Sequence, residues 1–323
     1  MRLVPLLAVL VGGPAWGVVR QVGEQAQYRT LDAAARAAED GDTIHLTAGT
    51  YFQCAVLARN DLVLEGEGPD TIVTDTPCQG KGLVVAAGNN LVVRDLVLAR
   101  VRVPDHNGAG IRLEGRGLTL QRVRFENDER GLLAAQNASG TVLIQDCVFS
   151  RGGVAGERPG YAVAVGPVDL LRIERTVFEL VKGGQVSSDA ARTELVGNTI
   201  GTGVEPSGGF AVNAGGALLM QDNVLVLGPE PPPRAAAVLT RGAETTLLGN
   251  QLRNGTGQPA TLLLDWGGGT PRLHGNVLDP RDRLVGQDGV LRNRAGNLAR
   301  GVAEDLRHAA GSARRALKAA LGR

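Results

Sequence analysis

Aromatic residues make up 3% of this 323-residue chain, and their scarcity bounds what its surface can recognise. Sugar rings and bases stack on aromatic faces, and Tyr161 and Trp266 are the candidates for such a platform. Lysine is scarcer still: Lys81, Lys182 and Lys318 are the only lysines among 34 basic residues, and 33 acidic residues bring the net charge to +1. A near-neutral chain offers no electrostatic footprint for nucleic acid, so no such partner is expected. The arginine excess reads as codon bias. Beyond the first residues no apolar run is long enough to cross a bilayer, and no membrane span is expected. The opening MRLVPLLAVLVGGPAWG has a positive start at Arg2, an apolar core and small residues at Ala15 and Gly17. It predicts a signal peptide over residues 1–17, hence a secreted or periplasmic protein; the alternative is a buried first strand.

What the chain has in quantity is glycine, 46 residues, spaced by a repeat. In Asn107 to Phe149 two near-turns follow one another, each with a Gly-led apolar strand (GAGIRLEG, ERGLLAAQ), a short turn and a second strand ending in an apolar pair (LTLQRVRF, TVLIQDCVF). Marking the residue that opens the last segment of each turn gives Asp95, Arg122, Asp146, Arg175, Asn198, Asn223, Asn250 and Asn276, separated by 27, 24, 29, 23, 25, 27 and 26 residues. A period that wanders about a fixed value is that of a solenoid, with insertions in turns and strands in register. Strands this short with no helix between them predict an all-β solenoid, three strands per coil stacked in parallel, so that each backbone group pairs with the coils on either side.

Stacking the Gly-led strands separates inside from outside. Ile111, Leu132, Val163, Val186 and Val212 form one inward column, and Leu113, Ala134, Val165, Ser188 and Ala214 a second. Strand alternation then turns Arg112, Leu133, Ala164, Ser187 and Asn213 to solvent. Cys147 falls in the column of Val123 and Val224 and reads as core packing. Cys54 and Cys78 lie in adjacent coils; an oxidising export route would join them, and a pair of buried thiols is the other reading.

The ends of the stack need covers. TLDAAARAAEDG predicts a short cap helix within residues 28–41, capped by Thr30, with Asp32 in its first turn, an exit at Gly41, and Leu31, Ala34, Ala35 and Ala38 on its apolar side. The β-helix domain is read as 18–295, its first strand in DTIHLTAGTY and its last near Leu278. Residues 296–323 read as a C-terminal helical tail or cap, Val302 to Leu321, whose mostly alanine stripe suits an end cap better than an anionic-surface anchor.

The strings DGDTI, AGTY, KG at 81–82, NGAGIR and Phe125 with GLL at 131–133 resemble the right-handed parallel β-helix proteins of the pectin-lyase-like superfamily, over about residues 28–225. The resemblance is nearest to secreted bacterial β-helix repeat proteins of undefined activity. It implies a right-handed parallel β-helix and leaves the activity open, because the superfamily holds lyases, hydrolases, esterases, epimerases and non-catalytic adhesins. The departures matter more. Three successive strands that in the relatives read HNxYVG, HxxKSRA and YSIDLPNGG are here GYAVAVG, GQVSSDA and GFAVNAGG. A Tyr, Lys and Asp ladder has become Ala164, Ser187 and Asn213, and an Arg has become Asp189. Lys182, at a turn, is the one lysine near enough to replace the lost cation. The GHG of polygalacturonases, the QAVAL, QDTL and DFIFG strings of pectin methylesterases and the DPHD of epimerases are absent, and DPRD at 279–282 lacks the histidine. Calcium-dependent lyases need a carboxylate cluster; beyond Asp128 and Glu129 none falls on the ladder face, so no cofactor, calcium included, is expected.

A polar strip remains. Asn107, Arg112, Glu114, Arg130, Tyr161, Ser187, Asp189 and Asn213 are the candidate substrate-binding residues, with His106, in PDHNG, read as an exposed turn residue. The function expected is an exported protein that binds or processes an acidic polysaccharide, by lyase or epimerase chemistry on uronate sugars if it is an enzyme. The alternative is a non-catalytic structural or adhesion solenoid.

Overall fold

A computed structural model describes residues 17–153, 160–202, 210–229 and 236–286. The predicted signal-peptide core and the predicted C-terminal helix lie outside the described residues. Three parallel sheets, of 11 strands (sheet A), 9 strands (sheet B) and 10 strands (sheet C), wrap one continuous core. Each complete coil contributes one strand to each sheet, the end coils among the described residues being partial, and every pairing is with the preceding or following coil.

The predicted register holds residue for residue: Ile111 pairs with Leu132, Leu132 with Val163, Val163 with Val186 and Val186 with Val212. All five are buried. The stack is longer than the repeat indicated. It begins with Val19–Val22, ahead of Thr43–Leu46, and ends with Arg283–Val285.

Inside the coils, sheet B carries a column of Leu98, Phe125, Phe149, Phe178 and Ile200. The three phenyl rings stack with centroids 4.5 and 4.9 Å apart. Their room comes from sheet C, where a Cβ on Gly131 would stand 2.4 Å from a Phe149 ring carbon and one on Gly110 2.7 Å from Phe125. Both glycines precede an inward residue, so the strand turns two consecutive positions to the core and breaks strict alternation there.

The polar marker needs one correction. The left-handed corner residues are Asp95, Arg122, Asp146 and Arg175, then Gly197, Asp222, Gly249 and Gly275. Asn198 therefore stacks on Thr176 rather than Arg175, and Asn223, not Val224, shares the column of Val123 and Cys147. The four asparagines form an internal ladder in which Asn223 Oδ1 accepts from the backbone and side-chain nitrogens of Asn198, at 2.9 and 3.0 Å, and Asn250 and Asn276 repeat the pattern. At the corner itself arginines reach back one coil, Arg122 to Asp95 and Arg175 to Asp146, and at the next corner, after the sheet B strands, Arg100 reaches back to Asp75. The hydrogen bond from Arg175 holds the Asp146 carboxyl below its ordinary pKa.

The cap helix is Leu31–Ala37, shorter than predicted, with the Thr30 hydroxyl accepting from Ala33 N. It leaves through extended Ala38, and the left-handed residue Gly41 belongs to the following turn. Asp42 explains the DGDTI string: its buried carboxylate accepts from Val18 N, Glu39 N and Arg20 Nε. Cys54 and Cys78 are joined, with Cα atoms 5.4 Å apart. Cys147 is buried and unpaired, and burial pushes its thiol up to about 12. A thiol reagent should leave Cys147 unlabelled in the folded protein and label it fully in denaturant; rapid labelling of the native form would mean the column opens.

Candidate functional site

The outer face of sheet C gathers the candidate residues. Arg112, Leu133, Ala164, Ser187 and Asn213 occupy one outward column, as predicted. They are half-buried rather than solvated, and the column closes at both ends on fully buried residues, Val85 on one side and Leu239 and Leu264 on the other. Because the strands turn two consecutive positions inward, the residue before that pair also points out. Arg130 and Tyr161 fall there, neighbouring a stretch in which the Tyr161 ring lies on Gly184, whose Cβ would meet it at 2.0 Å. The Tyr161 hydroxyl meets the Asn213 amide, and burial raises its pKa.

The cations are concentrated at one end. Arg130 donates to Asn107 Oδ1 at 2.9 Å. Desolvation, together with repulsion from Arg112, lowers the Arg130 pKa against the pull of Glu129. Arg112 Nε is buried and has no partner. Among the described residues neither arginine forms an ion pair, unlike the corner arginines. Lys81 Nζ does, with Glu114 Oε1 at 2.6 Å. Lys81 immediately precedes Gly82–Ala86 and Glu114 immediately follows Ala109–Leu113, so the ion pair joins two adjacent coils.

Two acids expected at the turn surface are elsewhere. Asp128 and Glu129 are 2% and 3% exposed, because their carboxylates hold the turn's backbone: Asp128 Oδ1 accepts from Val101 N, and Glu129 Oε2 from Val103 N and Gly108 N. Burial raises the Asp128 pKa well above its usual range. His106 is an exposed turn residue with φ of 57°, its Nδ1 3.2 Å from Glu129 Oε1. Asp189 is exposed and paired with Arg241 at 3.2 Å. Lys182 is exposed, its backbone nitrogen bonded to Gly152 O. Sequence reasoning passed over Lys81 and Arg241, whose partners are far away in the chain. It also passed over Gln185, wholly buried with both amide atoms unpartnered. Among the described residues no group of three His, Cys, Asp or Glu could hold a metal ion.

No protein-family model matches the sequence, and no curated protein matches it. Solved structures do match. The pectin methylesterase of Aspergillus niger aligns at 12% identity over 76% of this chain and 88% of its own, with a TM-score of 0.50. Carrot pectin methylesterase aligns at 12% identity over 88% and 92%, with a TM-score of 0.50. A mutant of the PL6-family alginate lyase AlyGC aligns at 16% identity over 88% of this chain and 39% of the lyase, also at 0.50. The fold is the pectin-lyase-like right-handed parallel β-helix. At these identities the likeness is one of fold, and the methylesterase strings sought in this β-helix are absent. Among the described residues no helix is long and apolar enough to cross a membrane.

Proposed function

We propose that this β-helix is exported and binds an acidic polysaccharide along the outer face of sheet C. The observation that carries the reading is the pair Arg112 and Arg130, half-buried on adjacent coils and neither in an ion pair among the described residues. Guanidinium groups held partly desolvated are costly to leave unpaired, and a sugar carboxylate supplies the missing acceptor. Ala164 and Ser187 leave a low floor beyond them, with Tyr161 beside it for a sugar ring. The Cys54–Cys78 bridge and the leader-like start support passage through an oxidising compartment. The polysaccharide-active proteins that share the fold, named for pectin and alginate, make uronate chains the first ligands to test.

Binding is favoured over turnover. A lyase or epimerase step on a uronate needs a base, and four acids of this region are already engaged, Glu114 and Asp189 in ion pairs and Asp128 and Glu129 on backbone amides. The reading invokes no cofactor. Calorimetry with pectate, alginate and hyaluronan should show binding to at least one. Arg112→Ala should weaken it about tenfold or more, the usual loss for a charged hydrogen bond. Unsaturated uronates should not accumulate. If none of the three binds, the reading is wrong; a rise in their absorbance that Arg112→Ala abolishes would make the protein a lyase.

A further inference from the structure

We infer that Glu114 is a built-in competitor for the ligand: its carboxylate occupies Lys81, the third cation of the face, and an acidic sugar must displace it. The inference rests on the binding reading above and adds its regulation.

Three observations carry it. First, Lys81 and Glu114 are separated by 33 positions and belong to adjacent coils, yet their charged groups meet at 2.6 Å. Glu114 stands two residues beyond Arg112 on the same strand edge, in the same outward phase, and Gly82, next to Lys81, lies against Arg112, its Cβ position 3.5 Å from Arg112 Cβ. The ion pair and the arginine therefore belong to the same two coils of the face. Secondly, the face is already closed in the coils that the ion pair joins. Val85, an outward residue paired with Arg112, is 0% exposed, and Arg112 Nε is sealed from solvent without gaining a partner. A packed end that leaves a buried donor unsatisfied is poor as a stabilising device. It makes sense as a closed state that an incoming acceptor opens. Thirdly, the acid has chosen the compact ammonium and left both guanidiniums unpaired. A flexible lysine arm is the cation most easily handed from one carboxylate to another, whereas Arg130 is held by Asn107.

In this scheme Glu114 does two things. It neutralises one of three clustered charges, which lowers the attraction for any passing anion, and it sets an affinity threshold that only a ligand presenting several carboxylates in a row exceeds. Removing the competitor should therefore strengthen binding, an effect opposite in sign to the loss of a structural ion pair.

The test uses the full chain and pectate oligomers of defined length, with dissociation constants measured at low and at moderate salt. Glu114→Gln should bind about threefold to tenfold more tightly than the parent, and most of the gain should fall on short oligomers. Lys81→Ala should bind more weakly. Glu179→Gln serves as the control: it makes the same charge change on sheet B, beside Arg124, and should leave affinity unchanged. Glu114→Ala gives a second variant should the glutamine fold poorly. If Glu114→Gln and Glu114→Ala bind no better than the parent while Arg112→Ala weakens binding, the competitor is refuted and the binding site stands. A gain equal to that of Glu179→Gln also refutes it, as an effect of net charge alone. If neither parent nor variants bind pectate, alginate or hyaluronan, both readings fall together.

Discussion

Val163→Asp should be the most damaging single substitution in the middle of this β-helix, costing at least ~4 kcal/mol. Val163 is 0% exposed, its strand neighbours Leu132 and Val186 are equally buried, and no basic group shares their column. A carboxylate there either stays charged in a dry stack or folds only when protonated, so stability should recover as the pH falls. Ser187→Ala, one column away on the outer face, should cost less than ~0.5 kcal/mol. Urea denaturation of the two variants at neutral and mildly acidic pH decides it. A Ser187→Ala protein weaker than Val163→Asp would mean that the two columns had been assigned to the wrong sides.

The second large effect is expected from Asn223→Ala. Asn223 is fully buried and makes four side-chain hydrogen bonds: it accepts from Asn198 N and Asn198 Nδ2, and donates to Leu195 O and Asn250 Oδ1. Alanine leaves Asn198 N and Leu195 O without those partners inside the solenoid, and each orphan costs ~1–3 kcal/mol. A loss of about 3–5 kcal/mol is therefore expected, comparable to a core cavity although no apolar contact is the main thing removed. Because solenoid stability is built from neighbouring coils, hydrogen exchange should rise first in the coils of Asn198 and Asn250. A destabilisation under ~1 kcal/mol would show that water replaces the ladder and that these asparagines are spacers.

How far the sequence could be read follows from what holds each part. Periodic apolar residues carry the register of sheet C, because a one-residue slip would turn a whole column to the wrong side; Ile111 to Val212 was legible for that reason. The marker slipped at Asn198 because glycine takes the left-handed corner at Gly197, and there a polar residue inside looks like a polar residue at a corner. Nothing in a one-dimensional pattern tells Asn223, which satisfies its amide on the next coil, from an asparagine facing water. Asp128 and Glu129 misled in the same way: their acidity suggested a solvated turn, and their partners are backbone amides more than 20 residues away.

The amino-acid sequence by itself determined the coil, the parallel stacking, the inward columns of sheet C and the capping helix, since each rests on local propensity or on a repeat that every coil restates. The tertiary structure alone decided which charges are free. Pairing Lys81 with Glu114, Arg241 with Asp189 and Arg130 with Asn107, while leaving Arg112 with none among the described residues, depends on which side chains neighbouring coils bring within a few ångströms. Charge pairing is short-ranged and indifferent to sequence order, so the charge pattern of the face exists only once the coils are stacked.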